Sequence, residues 1–593
     1  MAKTIFGTSE KSNFILNMDL DWYRKFCGKL LLIVLWATAF SQGINQLSDA
    51  ANASLNETVR EGGIGSVFAL ILVALRSVAT VFSVGGVLVL IFTVIGLMRQ
   101  QWTKGTAVPY CILAGSLLWA VGSMMRSYDY ATSVFGQDGR DEGWIALLMY
   151  AGMFFLGTML RRTENQTRFL RGFMLLGIVQ CLWGLLQALP VFDYANPNKG
   201  LNNYRNIDPL LLWNLRLPAG LTDSPVTFAM LLAMLLAVSV PAAMLAAEKK
   251  TRITAAVCAA LSMLLVFKTQ TAAGVIAGCG AVLLAVLLPI IKRKSLQKRA
   301  LITLPAILAA AALSIGWVCI SPSLNHSYYR PDKLSVREPQ DGLTVNAWET
   351  DNGSAQLENG LILPELNSDI EGKSLLRLYD GGIVWDDGYY RLSTAGAYIR
   401  NSDFNIYDAG SVLKYCREKG WDAVKIDPLF GVGPDNFFFT QLHTSMIPSQ
   451  NTNLTDRPYN DFIFIAATRG IPSLILHIAL LIACLILAWR HRKQMQQSWV
   501  PIAAGAGVVL YCCTAAVGIS VLTVAPFFWI LLGIFAAAPI NEPVREAAAA
   551  TPAEDQAEAP AEETGGTEPD APEAAAPKTN PPKNKKKSGK KKK

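Results

Sequence analysis

Apolar residues in this chain gather into runs of about 17 to 25, separated by short links that hold most of the charge. Runs of that length cross about 30 Å of hydrocarbon as α-helices. The pattern predicts about 12 transmembrane helices, over residues 28–46, 78–98, 106–124, 143–160, 170–190, 224–247, 252–268, 272–291, 300–320, 472–489, 499–519 and 521–539. Gly65 to Leu97 is too long for one straight span, so Ser66 to Arg76 is expected to lie in the interface or to form a bent first half.

Basic residues cluster in alternate links: Lys3 to Lys29; Arg99 and Lys104; Arg161 to Arg171; Lys249 to Arg252; Lys292 to Arg299; Arg490 to Lys493. Lys and Arg concentrate on the cytoplasmic side of membrane proteins, so both termini are expected in the cytoplasm. The long segment from Ser321 to Asn460 then lies outside the plasma membrane. The expected organisation is a cytoplasmic segment (1–27), a first membrane part (28–320), an extracytoplasmic domain (321–460), a last membrane part (461–540) and a tail (541–593).

Within the outer segment, LLRLYDGGIVWDDGYYRLS alternates apolar and polar residues around Asp-Gly pairs at 380 and 387, which marks short strands and turns. Ile406, Ala409, Leu413 and Cys416 recur at helical spacing, with Ser402 or Asp403 as cap and Gly420 as stop, which predicts an amphipathic helix. The fold class is an all-α polytopic membrane protein carrying a mixed α/β extracytoplasmic lid domain. The tail turns to Ala, Pro and Glu and then to PKTNPPKNKKKSGKKKK, and neither part has the residues for a core. Disorder is expected there, with the lysines facing an anionic membrane surface.

At 52% hydrophobic and 17% charged residues, the 593-residue chain excludes a soluble protein of ordinary domains. The ten cysteines give neither a disulfide framework nor metal-ligand spacing, and GVGPDN lacks the GK[ST] ending of a phosphate-binding P-loop. No metal, cofactor or specific nucleic acid is expected. The predicted spans hold almost no acid and few bases, which argues against an ion-coupled pump.

Chemistry concentrates between Pro428 and Leu476. PLFGVGPDNF and DRPYNDFIFIAATRGIPSLIL are polar stretches bent by Gly and Pro, the second running into an apolar span. Gly431, Gly433, Asn436, Arg457 and Asn460 are the residues expected to shape the loops. A lipid-borne substrate can keep its tail in the bilayer and present its head group to such a junction. Arg216, just before a span, and Arg400, just before the amphipathic helix, carry guanidinium groups that fork onto phosphate oxygens.

RLPAGLTDSPVTFAMLLAM, DPLFGVGPDNFF and DRPYNDFIFIAATRGIPSLILHIALL, with one large outer segment before the last three spans, resemble the O-antigen ligase and O-antigen polymerase family over about residues 205–490. The resemblance implies transfer of glycan from an undecaprenyl-diphosphate carrier to an acceptor hydroxyl of a glycan or lipid, without nucleotide or metal. It places the diphosphate on Arg216 and Arg400. The family's acceptor-activating histidine falls on Tyr459, a phenol that needs a nearby cation such as Arg457 to act as base at neutral pH. Asp461, Asp456 and His443 are the other candidate bases. Ala272 and Ala273 stand where many relatives have an arginine after a serine, which keeps open a member without catalysis. A flippase or exporter of lipid-linked glycans and a non-catalytic scaffold of a polysaccharide assembly complex are the alternative readings.

Overall fold

In a computed structural model the described residues are 19–47, 73–99, 104–137, 140–189, 218–291, 297–320, seven short strands between 347 and 400, 409–437, 440, 457–492 and 498–537. The chain divides into two units, Met1–Pro543 and Val544–Lys593. The second unit, including the expected lysine-rich tether, lies outside the described residues.

Helices dominate the first unit. They are α1 (Leu20–Leu47), α2 (Val78–Met98), α3 (Lys104–Met124), α4 (Tyr130–Phe135), α5 (Trp144–Met159), α6 (Thr163–Ala188), α7 (Pro225–Leu245), α8 (Lys249–Val266), α9 (Ala272–Ile291), α10 (Gln297–Ile320), α11 (Ala409–Ile426), α12 (Asp461–Arg490), α13 (Val500–Ala515) and α14 (Ala525–Ala537). Each predicted apolar run coincides with one of these helices. Seven of them are long and apolar enough to cross a membrane: α1, α2, α3, α6, α7, α9 and α12. This is the architecture of a multi-pass helical membrane protein.

Several boundaries differ from the sequence reading: α1 and α6 begin at Leu20 and Thr163, ahead of the predicted 28 and 170. Of the stretch expected to bend before α2, residues 66–72 lie outside the described residues; residues 73–76 are helical and end at a break at Ser77, whose hydroxyl accepts from the Thr80 amide at 3.2 Å and caps α2. The span expected to begin at 472 is the second half of α12, which starts at Asp461. Asp461 and Arg469 therefore belong to the first half of that helix, ahead of the part read as a span.

At the centre, α7 is apolar all round, and nearly its whole length is buried. It packs on α8, α9 and α13, while α5 packs on α14. Gly157 and Gly533 face each other where α5 and α14 cross; a Cβ on Gly157 would lie 2.8 Å from the Ile530 carbonyl oxygen. Small residues allow this close approach.

Contacts between helix ends show the alternation of the chain. Gln46 Nε2 donates to the Gly220 carbonyl at 3.1 Å, Ser123 Oγ to the Thr468 carbonyl at 2.9 Å, and Asn460 Nδ2 to the Ala516 carbonyl at 3.0 Å. These join the C-terminal ends of α1, α3 and α13 to the N-terminal sides of α7 and α12. Arg162–Asp21 and Arg171–Glu248 ion pairs, each at 2.8 Å, tie the opposite end. One end is thus basic, and the other carries the bent loops.

Between α10 and α12 lie two small antiparallel sheets. The first has the order β1 (Ala347–Glu349), β2 (Ala355–Leu357), β3 (Ile362–Leu363); the second has β4 (Arg377–Tyr379), β5 (Gly382–Trp385), β6 (Gly388–Leu392), β7 (Tyr398–Arg400). Asp380 and Gly381 separate β4 from β5, whereas Gly388 stands inside β6, opposite Trp385. The amphipathic helix α11 begins at Ala409 and continues past Gly420 to Ile426, and the candidate caps Ser402 and Asp403 lie outside the described residues. Gly420 is not its stop. A Cβ there would lie 2.7 Å from Pro458 Cβ and 2.6 Å from Ile463 Cγ2, so glycine lets α11 lie against the start of α12.

Candidate functional site

α12 is broken, and the break organises the loop end. Gly470 takes φ 81°, ψ 163°, and Pro472 follows without an amide hydrogen. Helical partners of the Ala467 and Thr468 carbonyls are lost. The GVG loop replaces them: the Val432 amide donates to Ala467 at 3.0 Å and the Gly433 amide to Thr468 at 2.9 Å. In return, the Ile471 amide donates to the Pro428 carbonyl at 2.8 Å. Non-helical backbone at such depth is tolerated only when protein supplies these partners.

Glycine is required in this interlock. Gly431 has φ 70°, and a Cβ there would lie 2.6 Å from the amide nitrogens of Arg469 and Gly470. Gly433, at φ 105°, lies against Ser127 and Ser133. Asn436 completes the loop by donating to Ser133 Oγ at 2.7 Å and accepting from the Asp129 amide at 2.9 Å. Asn460 caps α12 by accepting from the Ile463 amide at 3.1 Å.

Beside the break is a cavity lined by Glu142, Asp435, Asp461, Arg469 and His477, with Tyr150, Tyr511, Ser520, Phe528 and Trp529 among its walls. Glu142, just before α5, accepts from the Tyr150 hydroxyl at 3.1 Å. Burial raises its carboxyl well above the usual range, and the neighbouring charges of Asp435 and Asp461 raise it further. Asp435 accepts from the Gln137 amide at 2.7 Å and pairs with Arg140 at 3.4 Å, both side chains being buried. Burial raises the Asp435 carboxyl too, against the opposing charge of Arg140. The Tyr511 hydroxyl donates to Ser520 Oγ at 3.0 Å.

A further acid, apart from the three in the cavity wall, is held by the turn before α7. Three glutamines fix that turn: Gln187 Oε1 accepts from the Gly220 amide at 2.7 Å, Gln180 Oε1 from the Leu221 amide at 2.6 Å, and Gln46 Nε2 donates to the Thr222 carbonyl at 3.1 Å. Asp223 then accepts from Thr523 Oγ1 at 2.9 Å, beside α14. Burial raises its carboxyl, and the Thr523 hydrogen bond and the Arg457 charge oppose the rise. The positive charge of Arg457 acts on Glu142, Asp223 and Asp435 alike. Arg457 is therefore the cation common to both acidic groups.

Of the expected bases, Asp461 lines the cavity. Tyr459 is half-buried at φ 46° and is not among the lining residues. His443, Asp456 and Arg216 lie outside the described residues; the backbone of Arg400 ends β7 opposite Tyr390, and its side chain lies outside them as well. Glu142, Asp435, Arg469, His477 and the aromatic walls were not singled out by sequence. Their signal was faint: an acid one residue before a glycine-led span, and an arginine and a histidine flanking a Gly-Ile-Pro break.

No family model matches the chain, and no curated protein is significantly similar to it.

Proposed function

We infer that this protein is a membrane glycosyltransferase acting on a lipid-linked donor. The observation that carries this reading is the cavity at the broken helix, where Asp461, Glu142 and Arg469 meet at the loop end of the bundle. Ionisable groups at that depth belong to a substrate path. In the full reading all twelve predicted spans cross the plasma membrane, both termini are cytoplasmic, and 321–460 forms a lid over the loop end. Arg216 and Arg400 hold the diphosphate of an undecaprenyl carrier, and the lysine-rich tail rests on the anionic inner surface.

Asp461 is the base of the reaction. Its carboxylate takes the proton of an acceptor hydroxyl as that oxygen bonds to the anomeric carbon, and the bond from that carbon to the carrier's phosphate oxygen breaks. The carrier diphosphate leaves with the electron pair. The sequence motifs that resemble O-antigen ligases and polymerases support transfer from a diphosphate carrier but put the acceptor-activating residue at Tyr459; the choice of Asp461 rests on its place in the cavity wall, which Tyr459 does not share. No metal or nucleotide enters the step. The test is transfer from a purified carrier-linked glycan to an acceptor by the wild type and by Asp461→Asn. Equal rates would overturn the role of Asp461, and no transfer by the wild type to any glycan or lipid acceptor would overturn the enzyme.

A flippase of lipid-linked glycans is the second reading. It is favoured by the same broken helix, since interrupted spans with charged residues form the binding sites of many transporters. Removing the protein from cells separates the two. Donor accumulating on the outer leaflet supports the transferase, and donor accumulating on the inner leaflet supports the flippase.

A further inference from the structure

The cavity at the broken helix has a volume of about 40 Å³. That is room for about two or three water molecules and too little for a sugar ring. Part of its wall is closed by aromatic rings: Tyr511 stacks on Phe528 with centroids 4.3 Å apart, Phe528 meets Trp529 edge-on at 5.3 Å, and Trp529 lies parallel to Tyr150 at 6.3 Å. Tyr150, Tyr511 and Phe528 are buried. Rings packed on one another in this way leave no space for a larger guest.

Hydrogen-bonding groups of both kinds line the rest. Arg469, His477 and the Trp529 indole border the cavity, and none of these three side chains makes a hydrogen bond within the described residues. Glu142 accepts from the Tyr150 hydroxyl at 3.1 Å through one oxygen, and Asp461 has the Ser520 amide beside it. A carboxylate has room for about four hydrogen bonds, so both acids keep lone pairs for the cavity. Buried polar groups without partners are costly, and a polar cavity of this size meets that need with water.

Asp461 opens α12, and Glu142 stands two residues before α5, so both acids lie at the loop end of the bundle. A base as buried as Asp461, 7% exposed, gains a proton in each transfer and must lose it before the next. We propose that ordered waters fill the cavity and carry the proton that Asp461 accepts to Glu142, which releases it at the loop end. This rests on the transferase reading and adds the fate of the proton. Neutral Asp461 donates its O–H to the nearest water, each water passes one proton on, and the last donates to a Glu142 oxygen. Asp461 is then a carboxylate again, the waters are unchanged, and Glu142 holds the proton until solvent takes it. Glu142 touches no substrate and acts through Asp461. Its carboxyl, raised by burial above the usual range, suits a group that both takes and gives up protons near neutral pH.

The waters are tested by radiolytic footprinting of the full wild-type chain in nanodiscs, where hydroxyl radicals made from bound water oxidise the side chains beside it. Phe528 should be oxidised well above Phe154 and Phe173, which are as deeply buried and do not line the cavity. Equal oxidation of the three would overturn the waters. The relay is tested by first-turnover and steady-state transfer from carrier-linked donor. Glu142→Gln still accepts from Tyr150 but cannot pick up a proton. Its steady-state rate should fall by about tenfold or more and its first turnover by less, and imidazole, a small mobile base, should recover the steady state. Glu142→Asp should lose less, and it carries the test if the glutamine variant does not fold. Rates that fall alike in both phases without recovery by imidazole, or that do not fall, would overturn the relay. A wild type that transfers no glycan would remove the transferase and the relay with it, whereas the footprint of the waters would stand.

Discussion

The amide of Gly433 donates to the carbonyl of Thr468 at 2.9 Å, so main-chain atoms rather than side chains join the loop after α11 to the broken helix. This join leaves no room for a methyl group. Gly470→Ala would place a Cβ on the Leu429 carbonyl and hold alanine at φ 81°, and Gly431→Ala would push into the Arg469 amide. Each is expected to cost on the order of 1–3 kcal/mol or more. The measure is the thermal unfolding midpoint of the purified protein, with Gly115→Ala, where a Cβ meets nothing within 4 Å, as the neutral control.

Asp435→Asn should be more severe than its exposure in sequence suggests. It leaves the buried Arg140 without its carboxylate, and breaking a buried pair typically costs about 3–5 kcal/mol. Arg140→Met combined with Asp435→Leu should recover part of the loss, because neither charge then remains uncompensated. A double variant no more stable than Asp435→Asn would show that the backbone bonds to Asp435 matter more than the ion pair.

Glu142 makes stability depend on pH with a definite sign. Its folded carboxyl binds a proton more tightly than the unfolded one, as do those of Asp435 and Asp223. The folded state therefore holds more protons above the ordinary carboxyl pKa of about 4, and stability falls as pH rises from there toward the raised folded values. Glu142→Gln removes one titrating group and can still accept from Tyr150. Its unfolding midpoint should fall less than that of the wild type between pH 5 and 8, a comparison made by differential scanning at about ten pH values.

Tyr459 and Asp461 are two residues apart and differ in surroundings. Tyr459→Phe should keep most transfer activity, whereas Asp461→Asn should lower it by about 10² to 10⁴, the usual worth of a general base. Single-turnover rates with carrier-linked donor decide between them. A collapse in Tyr459→Phe with folded protein and intact donor binding would return the base to the phenol.

Orientation has its own check. A cysteine at Ser374 should react with a membrane-impermeant thiol reagent in intact cells, and one at Ser295 should not. Reverse labelling would place the basic end outside.

How much of this was legible follows from the range of each signal. Apolar run length is local, so every predicted span corresponds to a helix. The start of α12 was placed eleven residues late because DFIFIAATRG reads as a loop mouth by its Arg and Gly. The protein continues the helix through Arg469 and supplies loop donors at the break beyond it. Gly431 and Gly433 stood out in sequence as loop residues, while their partners at 467–470 are fixed only by tertiary contact. Glu142 could not be matched to Asp461 at all, since more than three hundred residues separate them.

The bond between Thr523 and Asp223 spans 300 positions, and it has a consequence for biosynthesis. A ribosome that has completed α1 through α12 has made Glu142, Asp223, Asp435, Asp461 and Arg469. Tyr511, Ser520, Thr523 and Trp529 have not yet been made. The nascent protein therefore holds its reactive groups without the wall that confines them, and the cavity closes only when the last hairpin, α13 and α14, is inserted.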